Sequence, residues 1–372
     1  MAVARVTMIF CLISSALIVF PALEGVEGAE SFPGTRSDGQ RTVMLELFTA
    51  TWCENCPYAD AAADRLLRVI GPDRVSVIQY HVTLTDELRI NESDARRKSY
   101  GDPSLPSLCL DGELKSVGAT SYEEALDEYL SLVQESLQNE TPVSLGLDFH
   151  VAGGSVSLNV SLESSVSLAG ENLFLRFALF ENLVEADGKI YNYTVRAFNE
   201  ISIDPATLPA TRSMTFMLDA SWITENMGAA IFLQADAIGG IYQSTNVMFG
   251  EAPVINMDDR TDDPISGNET FSGTCTSGRQ LSEAFLKVDD GLWVEVEGTN
   301  DWFYIIDTRQ LSDGHHTIYA RVYDIAGIYS HPDVLSVTVK NEKPIPSLGA
   351  ALLLAVFLSV ALLMSASRRL RV

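Results

Sequence analysis

Two cysteines separated by two residues, Cys53-Glu54-Asn55-Cys56, are the groups in this sequence best placed to do chemistry. An apolar run, 43–48, comes before them and suits a buried strand; Pro57 to Ile70 follows with helical spacing, Ala61, Leu66, Leu67 and Ile70 sharing a face, until Gly71-Pro72 stops it. The pair is therefore expected at a helix N-terminus, where unpaired N–H groups and the positive end of the helix dipole stabilise an anion. A thiolate at Cys53 is favoured there, and the thiolate is the nucleophile of disulfide exchange. Cys56, one helical step behind, lies within disulfide reach and could resolve a mixed disulfide formed at Cys53. Two plainer readings stay open: a structural disulfide, and half of a zinc site, although no second Cys-x-x-Cys or His-x3-His accompanies the pair.

The elements that must hold this pair continue downstream. Residues 75–82 read as a β-branched strand, 93–100 as a short helix ended by Gly101, 107–110 as a third strand closed by Asp111-Gly112, and 122–137 as an amphipathic helix. The order is β-α-β-α-β-β-α. Cys109 and Cys275 read as buried small apolar residues. His81, at a strand end, reads first as structural and second as a proton carrier. His315 and His316 are adjacent on a strand, so they face opposite ways and do not share a metal. No Gly-rich phosphate loop, Ser-centred nucleophile motif or acidic metal cluster is visible, so no cofactor and no metal is expected.

The segment from Phe48 to Cys56, with Trp52 just before the first cysteine, resembles the active-site segment of the thioredoxin family. Tyr100-Gly101 followed by Ser104-Leu105-Pro106-Ser107 is similar to that family's cis-proline loop. The resemblance covers about residues 42–137. It implies a thioredoxin-like domain, a Cys53–Cys56 disulfide, a cis Leu105–Pro106 bond, and Pro106 beside the pair presenting backbone to a protein substrate. Thioredoxin carries a buried aspartate six residues before the first cysteine, which moves protons for the second. Leu47 stands at that position here, so proton handling falls to Glu46 (expected on the other face of the strand), to water or to His81. Glu54, between the cysteines, disfavours the thiolate and leans the pair toward a reductant or isomerase. The Cys-x-Asn-Cys-Pro segment also resembles secreted proteins of the outer-membrane-protein-related type, which join a thioredoxin-like domain to a β-rich one. Tyr191 to Ala197 is similar to part of that β-rich region.

The rest of the chain reads as β-structure and membrane signals. The expected organisation is multidomain: a signal peptide or uncleaved anchor at 1–28, a linker at 29–41, the α/β thioredoxin-like domain at 42–138, and all-β sandwiches at 142–250 and 252–341. A transmembrane helix at 346–367 and a cytoplasmic basic tail at 368–372 complete it. Trp302 to Asp307 and Asp313 to Gly327 resemble bacterial and archaeal Ig-like surface repeats, which implies a spacer or adhesive module. The lead-in Pro344-Ile345-Pro346-Ser347, the span and the arginines after it also resemble C-terminal sorting tails of surface proteins, although no sorting motif is complete. Arg368, Arg369 and Arg371 mark the cytoplasmic side, which puts the bulk of the chain outside a cell membrane. Sequons at Asn91, Asn139, Asn159, Asn192 and Asn268 are compatible with export.

Charge narrows the partners. With 50 acidic against 25 basic residues the formal net charge is −25, which repels nucleic acid. The expected partners are protein thiols and disulfides, the membrane, and, for net reduction outside the cell, a separate membrane electron donor. The competing reading is a non-catalytic surface binding or adhesion protein on a thioredoxin-like scaffold.

Overall fold

The computed structural model describes residues 35–36, 40–236 and 239–341. The expected segments 1–28, 346–367 and 368–372, and most of the linker 29–41, lie outside the described residues. Among the described residues no helix is long and apolar enough to cross a membrane. The chain is multidomain in its cores and mostly β, with three α-helices among the described residues.

The first hundred described residues follow the expected order. Strand Val43–Thr49 leads to α1 (Cys56–Ile70) and strand Val75–His81; then come α2 (Asn91–Ser99), strands Ser107–Leu110 and Glu113–Val117, and α3 (Tyr122–Ser136). Val43–Thr49 is buried along its whole length, as a continuous apolar run in a covered sheet should be. It pairs in parallel with Val75–His81 and antiparallel with Ser107–Leu110. Helices α1 and α3 pack on each other. Gly71 ends α1 at φ 99°, a conformation that favours glycine, and its N–H bonds Leu67 O at 2.8 Å. Ser121 caps α3 by accepting from Glu124 N at 3.2 Å.

The sheet does not end where the sequence places a domain boundary. Thr194, opening strand Thr194–Ile203, pairs in parallel with Gln79. Strands Leu173–Glu181, Met227–Ala235 and Ile241–Met248 continue outward by antiparallel pairing, giving eight strands in one sheet. This sheet curls back on itself: Ser244 N bonds Thr42 O at 3.3 Å and Ile241 N bonds Asp111 O at 3.0 Å. The region 142–250 is thus a two-sheet structure that borrows one sheet. Its other sheet holds Val143–Ala152, Ser155–Ser164, Ala210–Met217 and the short Thr35–Arg36. Alternating burial along Val143–Ala152 sends every second side chain into a core with Leu158, Phe177 and Ile231.

Residues 254–339 form two further four-stranded sheets around Phe271, Trp302, Ile318 and Val322. This unit also contributes Phe285, Trp293 and Tyr323 to the core of the α/β region. Arg68 of α1 pairs with Glu283 at 3.3 Å, Arg321 with Asp73 at 2.8 Å, and Trp293 N bonds Val69 O at 2.9 Å. The C-terminal half of α1 is therefore held between the large sheet and the last β unit.

Candidate functional site

Cys53 and Cys56 are joined as a disulfide, with their Cα atoms 5.4 Å apart. Helix α1 begins at Cys56, one residue earlier than the sequence pattern shows. Asn55 occupies the N-cap without a side-chain cap bond, and Pro57 has no N–H, as the first turn of a helix tolerates. The N-terminal end of α1 is thus left facing the pair. Cys53 retains 7% exposure and Cys56 none, so Cys53 is the more accessible residue of the two. Trp52 is 53% exposed, with its ring N–H on Thr83 Oγ1 at 3.0 Å; Glu54 and Asn55 are also exposed. Leu105 packs against the small cluster of Ala50, Cys53 and Cys56. The Leu105–Pro106 bond is cis, and Pro106 O accepts from Gly118 N at 2.7 Å. The loop and the pair, far apart in sequence, meet in space.

Glu46 lies where the alternation along Val43–Thr49 puts it, on the face opposite the cysteine pair, turned away from α1 and onto the α2 side. Arg96 of α2 grips it with Nε at 2.7 Å and a second N–H at 2.8 Å, and the Tyr100 hydroxyl donates at 2.7 Å. Burial would raise its carboxyl, but the Arg96 charge and these hydrogen bonds outweigh it and hold the group below the ordinary range. Glu46 is an ionised carboxylate locked into an ion pair. Arg96 also reaches Gln234 at 2.8 Å, tying α2 to strand Met227–Ala235.

The other face of the same strands carries a polar group around His81 whose other members the sequence alone did not mark. Thr49 and His81 are paired neighbours on adjacent strands. Thr49 Oγ1 donates to Asp60 Oδ2 of α1 at 3.2 Å. His81 Nδ1 lies 2.9 Å from Asp86 Oδ2, and Thr51 N and Leu88 N bond the same carboxylate at 2.9 Å each. Burial would raise Asp86, but the hydrogen bond and charge of His81 and the two backbone donors keep it low. An ionised carboxylate only accepts, so His81 Nδ1 donates. His81 Nε2, Asp60 Oδ1 and the Tyr191 hydroxyl are all buried without a hydrogen-bond partner among the described residues. Burial pushes the Asp60 carboxyl up to about 7, with Asp86 adding to the rise and Thr49 and Lys189 opposing it. The hairpin of Val184–Ala186 and Lys189–Tyr191 closes the group, the Tyr191 ring meeting His81 edge-on at 4.8 Å. One signal for Asp60 was present in the sequence: it lies four residues after Cys56, on the same face of the helix.

No family model matches the chain. Over 86 residues, 23% of this chain and 89% of the other, it is 28% identical to a thioredoxin of Methanocaldococcus jannaschii. Among solved structures it is similar to HBP35 of Porphyromonas gingivalis, at 15% identity over 81% of this chain and 99% of that one, with a TM-score of 0.46. It is also similar to the fibronectin(III)-like modules of Clostridium thermocellum CbhA, at 21% identity over 24% of this chain and 100% of that one, with a TM-score of 0.20. The cysteine pair and the thioredoxin likeness are compatible with thiol–disulfide exchange.

The remaining candidates lie elsewhere. Cys109 and Cys275 are buried free thiols; burial raises both, Cys275 to about 12. His316 bonds Asp289 Oδ2 at 2.7 Å and Ser312 O at 2.9 Å, whereas His315 is exposed on the opposite face. Among the described residues no group of three or more His, Cys, Asp or Glu is placed to hold a metal ion.

Proposed function

We propose that residues 42–138 form a thioredoxin-like domain that exchanges disulfides with protein substrates through Cys53 and Cys56. The observation that carries this reading is the disulfide at the start of α1, packed against Leu105 of the cis-proline loop. The placement at a helix N-terminus, where a thiolate is stabilised, and the greater exposure of Cys53 than of Cys56 support exchange over a structural disulfide. The 28% identity to a thioredoxin supports the same class of substrate. Cys53 attacks, Cys56 resolves, Pro106 and the exposed Trp52 border the path of the substrate, and no cofactor takes part. The chain acts outside a cell membrane, anchored by residues 346–367 with its C-terminus cytoplasmic. Net reduction there draws electrons from a separate membrane partner. The last unit, 252–341, serves as an Ig-like module.

Insulin reduction by the full chain tests the reading. Cys53→Ser is expected to abolish turnover, a fall of roughly 1000-fold or more because the nucleophile itself is lost. Wild-type chain that neither reduces insulin nor reshuffles a scrambled substrate overturns it. The mostly β composition favours a second reading, a surface binding protein on this scaffold. A pair that stays oxidised far below about −300 mV would select that alternative.

A further inference from the structure

The Cys53–Cys56 bond closes only after reduced Cys56 gives up its thiol proton. Cys56 is fully buried, so the proton needs an acceptor inside the protein. Leu47 offers none, and Glu46 is committed to Arg96 on the far face of the strand. Helix α1 supplies its own. Asp60 stands four residues after Cys56, which stacks the two side chains on one helical face with Cβ atoms about 5–6 Å apart. Thr49 orients its carboxyl through Oδ2, and Oδ1 is left buried without a partner among the described residues. The titratable and charged groups around it are His81 and Asp86 from the sheet side, Lys189 and Tyr191 from the hairpin, and Tyr129 from α3.

We propose that Asp60 accepts the Cys56 proton and returns it, an assignment that rests on the thiol–disulfide reading above. In the reductive direction the Cys53 thiolate attacks one sulfur of a substrate disulfide. A Cys53–substrate bond forms, the substrate S–S bond breaks, and the first substrate sulfur leaves as a thiolate. The Asp60 carboxylate then takes the Cys56 proton. The Cys56 sulfur attacks Cys53 Sγ, the Cys53–substrate bond breaks, and the second substrate sulfur leaves with the proton that Asp60 held. Two electrons pass from the cysteine pair to the substrate; the reverse sequence oxidises a substrate dithiol. Burial that lifts the Asp60 carboxyl to about 7 populates both of its forms near neutrality, where an acid–base group works best.

The test is a glutathione quench experiment on the full chain. Reduced protein is mixed with oxidised glutathione, stopped in acid across a range of pH, and the glutathione adduct at Cys53 is followed by mass spectrometry. Wild type is expected to resolve the adduct with an inflection at pH about 7. Asp60→Asn is expected to form the adduct at the wild-type rate, resolve it roughly 100-fold more slowly, and lose the inflection. Thr49→Val keeps the carboxyl but removes its donor, so the inflection should move to higher pH; this variant decides the matter alone if Asp60→Asn does not fold. Wild-type resolution in Asp60→Asn, or an unmoved inflection in Thr49→Val, overturns the assignment. Slowing in His81→Gln with none in Asp60→Asn gives the role to His81. Glutathione reacts with any accessible thiol pair, so this outcome is independent of insulin turnover: failure to reduce insulin sinks the oxidoreductase reading, not the acceptor.

Discussion

Asp60 costs the fold more as pH rises. Its carboxyl is raised from the ordinary 3.8 to about 7 in the folded chain, so the folded state holds the proton more tightly than the unfolded one. The stability linked to this group is complete below pH 3.8 and is lost as pH rises through about 7. At 1.36 kcal/mol per pH unit the full loss is at most about 4 kcal/mol. Asp60→Asn removes the ionisation. Urea unfolding at pH 5 and pH 8 should show this variant gaining on wild type by up to about 2.7 kcal/mol between the two, the part of the loss that falls between pH 5 and about 7; an equal gap at both values shows that Asp60 titrates normally. A residue that weakens the fold at working pH is consistent with one kept for its proton. The sequence made Cys53, Cys56 and Pro106 visible because motif spacing is local. Asp60 stayed hidden because a polar residue in a helix ordinarily faces water, and only the hairpin at 184–191 together with Thr49 and His81 covers this one. The ion pair of Glu46 stayed hidden for the converse reason: nothing near it in sequence announces Arg96, fifty residues away.

Helix α2 shows how an element is fastened through one side chain. It is nine residues long and strongly polar, too short and too hydrophilic to hold its place by apolar burial. Arg96 does that work through Glu46, Tyr100 and Gln234. Arg96→Ala strands the Glu46 carboxylate in the core, at a cost of about 3–5 kcal/mol at neutral pH. The sign with pH is opposite to that of Asp60. Glu46 is held below its ordinary 4.5, so its contribution is present above that value and lost as pH falls through the folded one. Chemical unfolding at pH 7 and pH 3 should therefore show a large Arg96→Ala deficit at the first and a smaller one at the second; an equal deficit at both means the pair carries no net charge effect. Single elements such as α1 and Ser107–Leu110 were legible from period and punctuation alone. Their partners were not: Thr194 pairs with Gln79 across more than a hundred residues, and an apolar strand carries no mark of which neighbour it will take.

At the scale of the whole molecule, the Cys53–Cys56 pair sits at one end of a helix whose other end belongs to the last β unit. Trp293 is the centre of that junction. It is buried, its backbone N–H bonds Val69 O at 2.9 Å, and the Arg321 guanidinium lies 4.7 Å over its ring. Arg65 and Arg68 of α1 reach Glu295 and Glu283, and their guanidinium groups lie over Phe285 and Tyr323. A spacer on a flexible linker would leave α1 free, whereas this unit completes the helix's core. Trp293→Ala should remove about 3–5 kcal/mol of burial from the junction. Calorimetry of wild type should show residues 43–136 and 254–339 melting together, and Trp293→Ala should split off an earlier transition for the β unit. Two wild-type transitions that the substitution leaves in place would mean that the units fold independently and that α1 owes nothing to its β neighbour. A joint transition in wild type that splits in Trp293→Ala would make the last β unit part of the scaffold that aims Cys53.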